Sequence, residues 1–257
     1  MVITTEQVKE LREQTGVSVM QCRKALEEAG GDLEKAVILL KKKSSEIALK
    51  KADREAADGV VVATQGDGKL AMLELNCETD FVAKNEDFTN LANALVAKLL
   101  EVGTDGMSAV SEEMISPVIQ KIGENIKLGK TVVLEGSSLG SYVHNGKTGV
   151  VVSLSGGTSE LAKDIAMHIA AMKPEFISKE EIPADTIAKV EEVAKEEISK
   201  IDKPEEIKQK MLEGKVSSYF KEITLLEQPF IKNGDVTVGQ LLTNSGAKIV
   251  AHSLYKI

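Results

Sequence analysis

The N-terminal segment combines short apolar stretches with strong signals for helix starts. Thr4 and Gln7, like Ser18 and Gln21, have the spacing of a capping box, in which each side chain bonds to the other residue's backbone N–H. Apolar residues recur at helical spacing after these pairs. The pattern predicts three short helices that form a small bundle, followed by a charged, partly helical linker over residues 41–58.

The central part of the chain repeats a pattern of two strands and a helix. In each copy, two short apolar runs flank a turn rich in Gly, Asp or Asn, which predicts a β-hairpin. Apolar residues at a spacing of three or four then predict an amphipathic helix. The copies occupy residues 60–100 and 141–172, and a helix at 112–122 and a strand at 131–135 are predicted between them. This predicts an α+β architecture with helices packed on a mostly antiparallel sheet.

A segment of different character follows the second copy. Residues 180–224 carry two narrow apolar stripes among Lys and Glu, separated by Pro204, which predicts an antiparallel helical hairpin. The tail returns to strand and turn signals. The resulting domain division is a three-helix domain with its linker at 1–54, a first core subdomain at 55–139, a second core subdomain at 140–179 and 225–257, and an inserted hairpin at 180–224.

Composition narrows the class of protein. The chain is 42% hydrophobic and 28% charged, as in a globular protein. Its net charge of −8 argues against sequence-independent binding to nucleic acid. The longest apolar run is too short to cross a membrane, and Glu6, Lys9 and Glu10 interrupt any secretory signal. Together with only two cysteines, these features predict a cytoplasmic protein.

The motifs that resemble catalytic sites lack their required context. Ser138 lies in a G-x-S-x-G pattern at residues 136–140, but a nucleophile elbow needs a helix directly after the serine and a strand pattern follows here. The Gly-Lys-Thr triplets at 129–131 and 146–148 miss the phosphate-loop spacing and are predicted to be turns. The three histidines lack metal-ligand spacing. The sequence predicts no metal, no cofactor and no enzyme; a hydrolase using Ser138 and a ribosome- or RNA-binding protein are the alternatives.

One strand-to-helix corner combines an aromatic ring with a carboxylate. Thr79-Asp80-Phe81-Val82, called the 79–82 corner below, directly follows a predicted strand. The chain has only five phenylalanines, so the presence of one at this corner needs an explanation. Phe81 either folds back to cap the core or is exposed for binding. The equivalent corner of the second copy, at residues 155–158, is a plain polar turn. The connection therefore does not need Phe81, which favours an exposed ring that inserts into a pocket on another protein.

The chain resembles the family of bacterial translation elongation factor Ts, the nucleotide exchange factors of elongation factor Tu. The resemblance extends over nearly the whole chain. The matching blocks are residues 11–16, 20–26, 57–59, 76–83, 121–126, 142–146, 167–171, 228–230 and 237–242.

The resemblance implies a fold and a partner. It implies an N-terminal bundle like a ubiquitin-associated domain, a core of two related β-hairpin and helix subdomains, and a coiled-coil insertion at 180–224. The implied partner is elongation factor Tu, in its GDP-bound and nucleotide-free forms, with no direct nucleic acid or membrane contact. A homodimer and a 2:2 complex both remain open.

The resemblance also implies contact residues in the bundle and in the second subdomain. Leu11, Val19 and Met20 are the expected contacts of the bundle with the partner's G domain. His144 is the expected contact of the second core subdomain with the partner's far domain.

The 79–82 corner is the exchange element by the same resemblance. Phe81 is expected to wedge between histidines of the partner near its switch region. Asp80 is expected to disturb the water network around the nucleotide-bound Mg²⁺.

Overall fold

The computed structural model describes residues 3–257 and begins with the three-helix bundle. Both predicted capping boxes are formed. The third helix extends to Lys51, within the segment 41–58 that was predicted to be a partly helical linker, and Ile47 and Ala48 of this extension pack against the core of the following sheet. The helices are α1 (Thr5–Thr15), α2 (Val19–Glu28) and α3 (Leu33–Lys51).

The next part is a three-stranded sheet with a helical layer. The strands are antiparallel and lie in the order β1-β2-β3. Apolar residues of β2 pack against α5 and form the main buried cluster, in which Leu73, Leu75, Phe88 and Leu95 are fully buried. In chain order the elements are β1 (Asp58–Gly66), β2 (Lys69–Cys77), α4 (Asp80–Ala83), α5 (Glu86–Ile122) and β3 (Ile126–Glu135).

The helix α5 folds back on itself at Gly103, whose backbone is non-helical at φ 72° and ψ 176°. A straight helix of its 37 residues would be about 55 Å long. Nevertheless, Asp87 near its start and Lys121 near its end form an ion pair, with 2.7 Å between Oδ1 and Nζ. Both helices predicted in this region lie within α5, one on each side of Gly103, and the reversal brings its two ends together.

The strand β3 begins earlier than the sequence predicted and contains Gly129, so the predicted turn at 129–131 is wrong. Residues of β3 pair with β2 on both sides of an irregularity between Leu73 and Leu75. A Cβ on Gly129 would lie 2.7 Å from the Asn76 side-chain oxygen. The glycine therefore leaves room for neighbouring side chains within a strand.

The remaining elements form a second three-stranded sheet, a small two-stranded sheet and several helices. The second sheet has the order β4-β5-β8, and β6 pairs with β7. The predicted helical hairpin is formed by α7 and α8. The elements are β4 (Ser138–His144), β5 (Thr148–Ser155), α6 (Ser159–Met172), α7 (Ala184–Ser199), α8 (Glu205–Ile223), β6 (Pro229–Phe230), β7 (Asn233–Thr237), α9 (Val238–Asn244) and β8 (Lys248–Lys256), with short 3-10 helices at Lys179–Glu181 and Leu225–Glu227.

These elements confirm the predicted α+β class. The chain forms two compact units: one holds the chain up to Glu135 with residues 143–151 and 253–257, and the other holds residues 136–142 and 152–252. The finer four-part division stays a prediction. Among residues 3–257, the helices are all too short or too polar to cross a membrane.

Gly59 is the position where the first sheet depends most on the absence of a side chain. Its φ is 151°, and a Cβ there would lie 2.1 Å from the Leu75 carbonyl oxygen on the paired strand. We expect Gly59→Ala to lower the free energy of unfolding by about 1–3 kcal/mol in urea titrations followed by circular dichroism.

Gly214 provides the matched control, because it lies in α8 and a Cβ there meets no atom within 4 Å. Gly214→Ala should raise the free energy of unfolding by about 0.5–1 kcal/mol, since alanine favours the helix. Equal effects of the two substitutions would contradict the close approach at Gly59.

Candidate functional site

The 79–82 corner is a single helical turn with one buried side and one exposed side. Val82 is 9% exposed and Ala83 is buried, and both belong to the main core cluster. Phe81, which lies in the connection from β2 to α5, is 81% exposed. The alternative in which Phe81 caps the core is therefore wrong, and the corner presents the ring to solvent.

Thr79 is the N-cap of this turn and uses all of its polar groups. Its Oγ1 accepts a hydrogen bond from the Val82 N–H at 3.4 Å and donates to Glu124 Oε1 at 2.7 Å. Its carbonyl accepts from the Ala83 N–H at 3.1 Å and from Cys77 Sγ at 3.2 Å. Burial raises the pKa of Cys77 to about 11, so the thiol keeps its proton at neutral pH and can donate.

Glu124 supports the corner from the loop between α5 and β3. Its Oε2 accepts hydrogen bonds from the backbone N–H groups of Glu78 and Thr79, each at 3.1 Å. Sequence reasoning missed this residue. A glutamate after the helix-ending Gly123 looks like any solvated carboxylate, and its partners are 45 and 46 residues away in the chain.

Glu78 makes the reciprocal connection to the loop that carries Glu124. Its Oε1 accepts from the Asn125 N–H at 2.6 Å and lies 3.4 Å from Arg54 Nη1. The hydrogen bond from Asn125 lowers the pKa of Glu78, and the charge of Arg54 adds to this effect. The buried Asn125 side chain donates to the Arg54 carbonyl at 2.7 Å. The two loops and the chain after α3 are thus joined by hydrogen bonds.

Asp80 lies beside Phe81 on the exposed side of the corner. Its Oδ2 is 2.8 Å from Lys84 Nζ, and this bond raises the pKa of Lys84. Both side chains are largely exposed, so water and salt screen the pair. The carboxylate can therefore leave Lys84 for another partner at little cost.

Of the three candidate contact residues in the bundle, two are exposed and one is buried. Met20 is 73% and Val19 is 48% exposed at the start of α2, whereas Leu11 is fully buried in the bundle core. Leu11 has no surface to offer a partner, because the apolar stripe of α1 packs inward. The expectation that Leu11 contacts the partner stays a prediction, which its burial does not support; in this structure Leu11 packs in one core cluster with Cys22, Ala25 and Leu26.

His144 ends β4 with an exposed side chain. The turn that follows is fixed to β1: the Lys147 ammonium bonds to the Asp58 carboxylate and, at 2.9 Å, to the Gly59 carbonyl. The hydrogen bond from Lys147 lowers the pKa of Asp58. His144 is thus presented next to a rigid turn.

The catalytic alternative finds no support. Ser138 is buried at the start of β4, its hydroxyl donates to the Gly157 carbonyl at 3.2 Å, and a strand follows it instead of a helix. Within residues 3–257 no three metal-ligating side chains cluster together.

Comparisons with known proteins point to one family. The family model described as Elongation factor TS matches residues 78–257, which include the 79–82 corner and Glu124. Elongation factor Ts of Hahella chejuensis is 43% identical over 262 residues, covering 99% of this chain and 92% of that protein. Elongation factor Ts of Thioalkalivibrio sulfidiphilus is 43% identical over 273 residues, covering 100% and 92%. Elongation factor Ts of Alcanivorax borkumensis is 42% identical over 257 residues, covering 95% and 90%.

The exposure of Phe81 predicts that its ring contributes little to stability. We expect Phe81→Ala to leave the melting temperature almost unchanged in differential scanning calorimetry. The control is Phe88→Ala seven residues later, where a fully buried ring is lost and the free energy of unfolding should fall by about 3–5 kcal/mol. A similar loss for both variants would show that Phe81 belongs to the core.

Proposed function

The chain belongs to the elongation factor Ts family, and we propose that it promotes GDP release from elongation factor Tu during translation elongation by inserting Phe81 into that partner. The observation that carries this proposal is the large apolar ring, 81% exposed, on a corner whose other side is buried. An exposed ring on rigid backbone suits insertion into a pocket, because little conformational entropy is lost on binding.

The ring can supply part of the required free energy but not all of it. Burying a phenylalanine side chain is worth about 1.5–3 kcal/mol, or roughly one to two decades in an equilibrium constant. The remainder must come from other contacts. We assign these to Val19 and Met20 on the bundle and to His144 at the end of β4, all of which are exposed.

Exchange of this kind needs no bond chemistry. In a nucleotide-binding partner, Mg²⁺ and the phosphate loop hold GDP by neutralising its charge. Suppose that an exchange protein binds the nucleotide-free partner more tightly than the GDP-bound partner. It then weakens the partner's affinity for GDP by the same ratio by which GDP weakens the partner's affinity for the exchange protein. We assign to Asp80 the role of disturbing the Mg²⁺ site, since its exposed carboxylate is paired with Lys84, itself largely exposed.

The direct test is stopped-flow release of fluorescent GDP from purified elongation factor Tu. The protein should accelerate release in a concentration-dependent and saturable manner. Release at the spontaneous rate at every concentration would refute the proposed function.

Phe81→Ala tests the role of the ring. At saturating concentration it should release GDP about ten- to a hundredfold more slowly than the unsubstituted protein, because the burial of the ring is lost. Tyr219→Ala on α8 is the control: Tyr219 is also an exposed aromatic residue but lies outside the proposed contact surface, so its removal should leave the rate unchanged. Equal rates for Phe81→Ala and the unsubstituted protein would remove Phe81 from the mechanism.

Asp80→Ala tests the link to Mg²⁺. We expect a clear slowing of GDP release in millimolar Mg²⁺ and a much smaller defect in excess chelator, where no Mg²⁺ site is left to disturb. Asp105→Ala on the exposed surface of α5 controls for the loss of one negative charge. A defect of the same size with and without chelator would exclude Asp80 from the Mg²⁺ pathway.

A further inference from the structure

We propose that Glu124 is a positioning residue for the 79–82 corner: its carboxylate holds Thr79 so that Phe81 keeps one orientation before the partner arrives. This inference rests on the function proposed above and adds a residue that does not touch the partner. Its action on exchange runs entirely through the placement of Phe81.

The Glu124 carboxylate is positioned to accept hydrogen bonds from the corner with both of its oxygens. Both oxygens are used: Oε1 accepts from the Thr79 hydroxyl at 2.7 Å, and Oε2 accepts from the N–H groups of Thr79 and Glu78 at 3.1 Å each. All three bonds are partly buried. Hydrogen bonds to an ionised carboxylate are the stronger kind, and a partly buried N–H left without an acceptor is costly.

The short turn needs such an anchor. With four residues, α4 (Asp80–Ala83) is too short to be stable by its own hydrogen bonds. The ring of Phe81, which is 81% exposed, adds little packing. Its orientation therefore depends on the burial of Val82 and Ala83 and on the cap, where the Thr79 hydroxyl receives the Val82 N–H and donates to Glu124.

The anchor is itself held from both sides. Glu78 accepts the N–H of Asn125, so each loop supplies a carboxylate to the backbone of the other. The two ends of α5 lead into these loops and lie close enough for Asp87 and Lys121 to form an ion pair. Glu124 is thus part of a set of hydrogen bonds that joins the corner to the loop after α5 in both directions.

A loosened corner has a specific kinetic signature. The bundle surface at Val19 and Met20 would still bind the partner, so the concentration for half-maximal effect should change little. The ring would occupy its productive orientation for a smaller fraction of the time, and the maximal rate of GDP release should fall with that fraction.

Glu124→Gln is the test substitution, because glutamine keeps the size but replaces one acceptor oxygen with a donor. We expect the maximal rate of GDP release to fall about tenfold, the size of effect expected for a lost charge-assisted bond. Glu101→Gln, which changes an exposed glutamate paired with Lys98, should leave the rate unchanged. Amide hydrogen exchange at residues 78–82 should become faster in Glu124→Gln only.

A double-mutant cycle separates positioning from general stability. In the Phe81→Ala background, Glu124→Gln should lower the maximal rate by less than about twofold, because the ring that it positions is gone. Thr79→Ser keeps the hydroxyl and should retain most of the rate, whereas Thr79→Val should resemble Glu124→Gln. If Glu124→Gln does not fold, the comparison of Thr79→Ser with Thr79→Val carries the test.

The outcomes distinguish this inference from the proposed function. If the unsubstituted protein is active and Glu124→Gln has the same maximal rate, or loses as much in the Phe81→Ala background, the positioning role is overturned. If the unsubstituted protein does not accelerate GDP release, the proposed function fails. In that case unchanged amide protection at residues 78–82 in Glu124→Gln would overturn the anchor independently.

Discussion

The burial of the folded-back helix α5 against the β1-β2-β3 sheet is the interaction on which the rest of the candidate site depends. Its apolar residues form the main core with β2, and its reversal at Gly103 brings its start and end within reach of one ion pair. The chain enters α5 from the 79–82 corner and leaves it into the loop of Glu124. The packing of α5 on the sheet thus positions both the exposed ring of Phe81 and Glu124, which supports it.

The structure separates the residues that stabilise the fold from the residue that is proposed to act. Val82 and Ala83 anchor the corner in the core, Thr79 caps it, and Phe81 is left in water. Exposing a large ring forgoes its hydrophobic contribution, which is consistent with a surface made for a partner. The same separation is seen in the bundle, where Leu11 is buried and Met20 is exposed.

Local signals in the sequence were sufficient for features that depend on neighbouring residues. The capping boxes, the strand–strand–helix pattern and the helical hairpin were all predicted, because capping and amphipathic periodicity act over a few residues. The exposed position of Phe81 was predicted by comparing its corner with the equivalent corner at residues 155–158. Predictions failed where distant packing decides. Gly129 lies within β3 and not in a turn, because the residues on either side of it pair with β2 across an irregularity. How far α3 extends into the predicted linker depends on Ile47, which meets a core formed later in the chain.

The sequence by itself therefore determined the α+β class, the family and the identity of the 79–82 corner as the feature that needs explanation. Only the tertiary structure showed that Leu11 is buried and that Glu124 holds Thr79 across 45 residues of chain. The physical reason is the distance along the chain over which each interaction acts. Periodicity and caps are properties of consecutive residues, whereas a carboxylate anchor exists only after α5 has folded back and brought two loops within hydrogen-bonding distance.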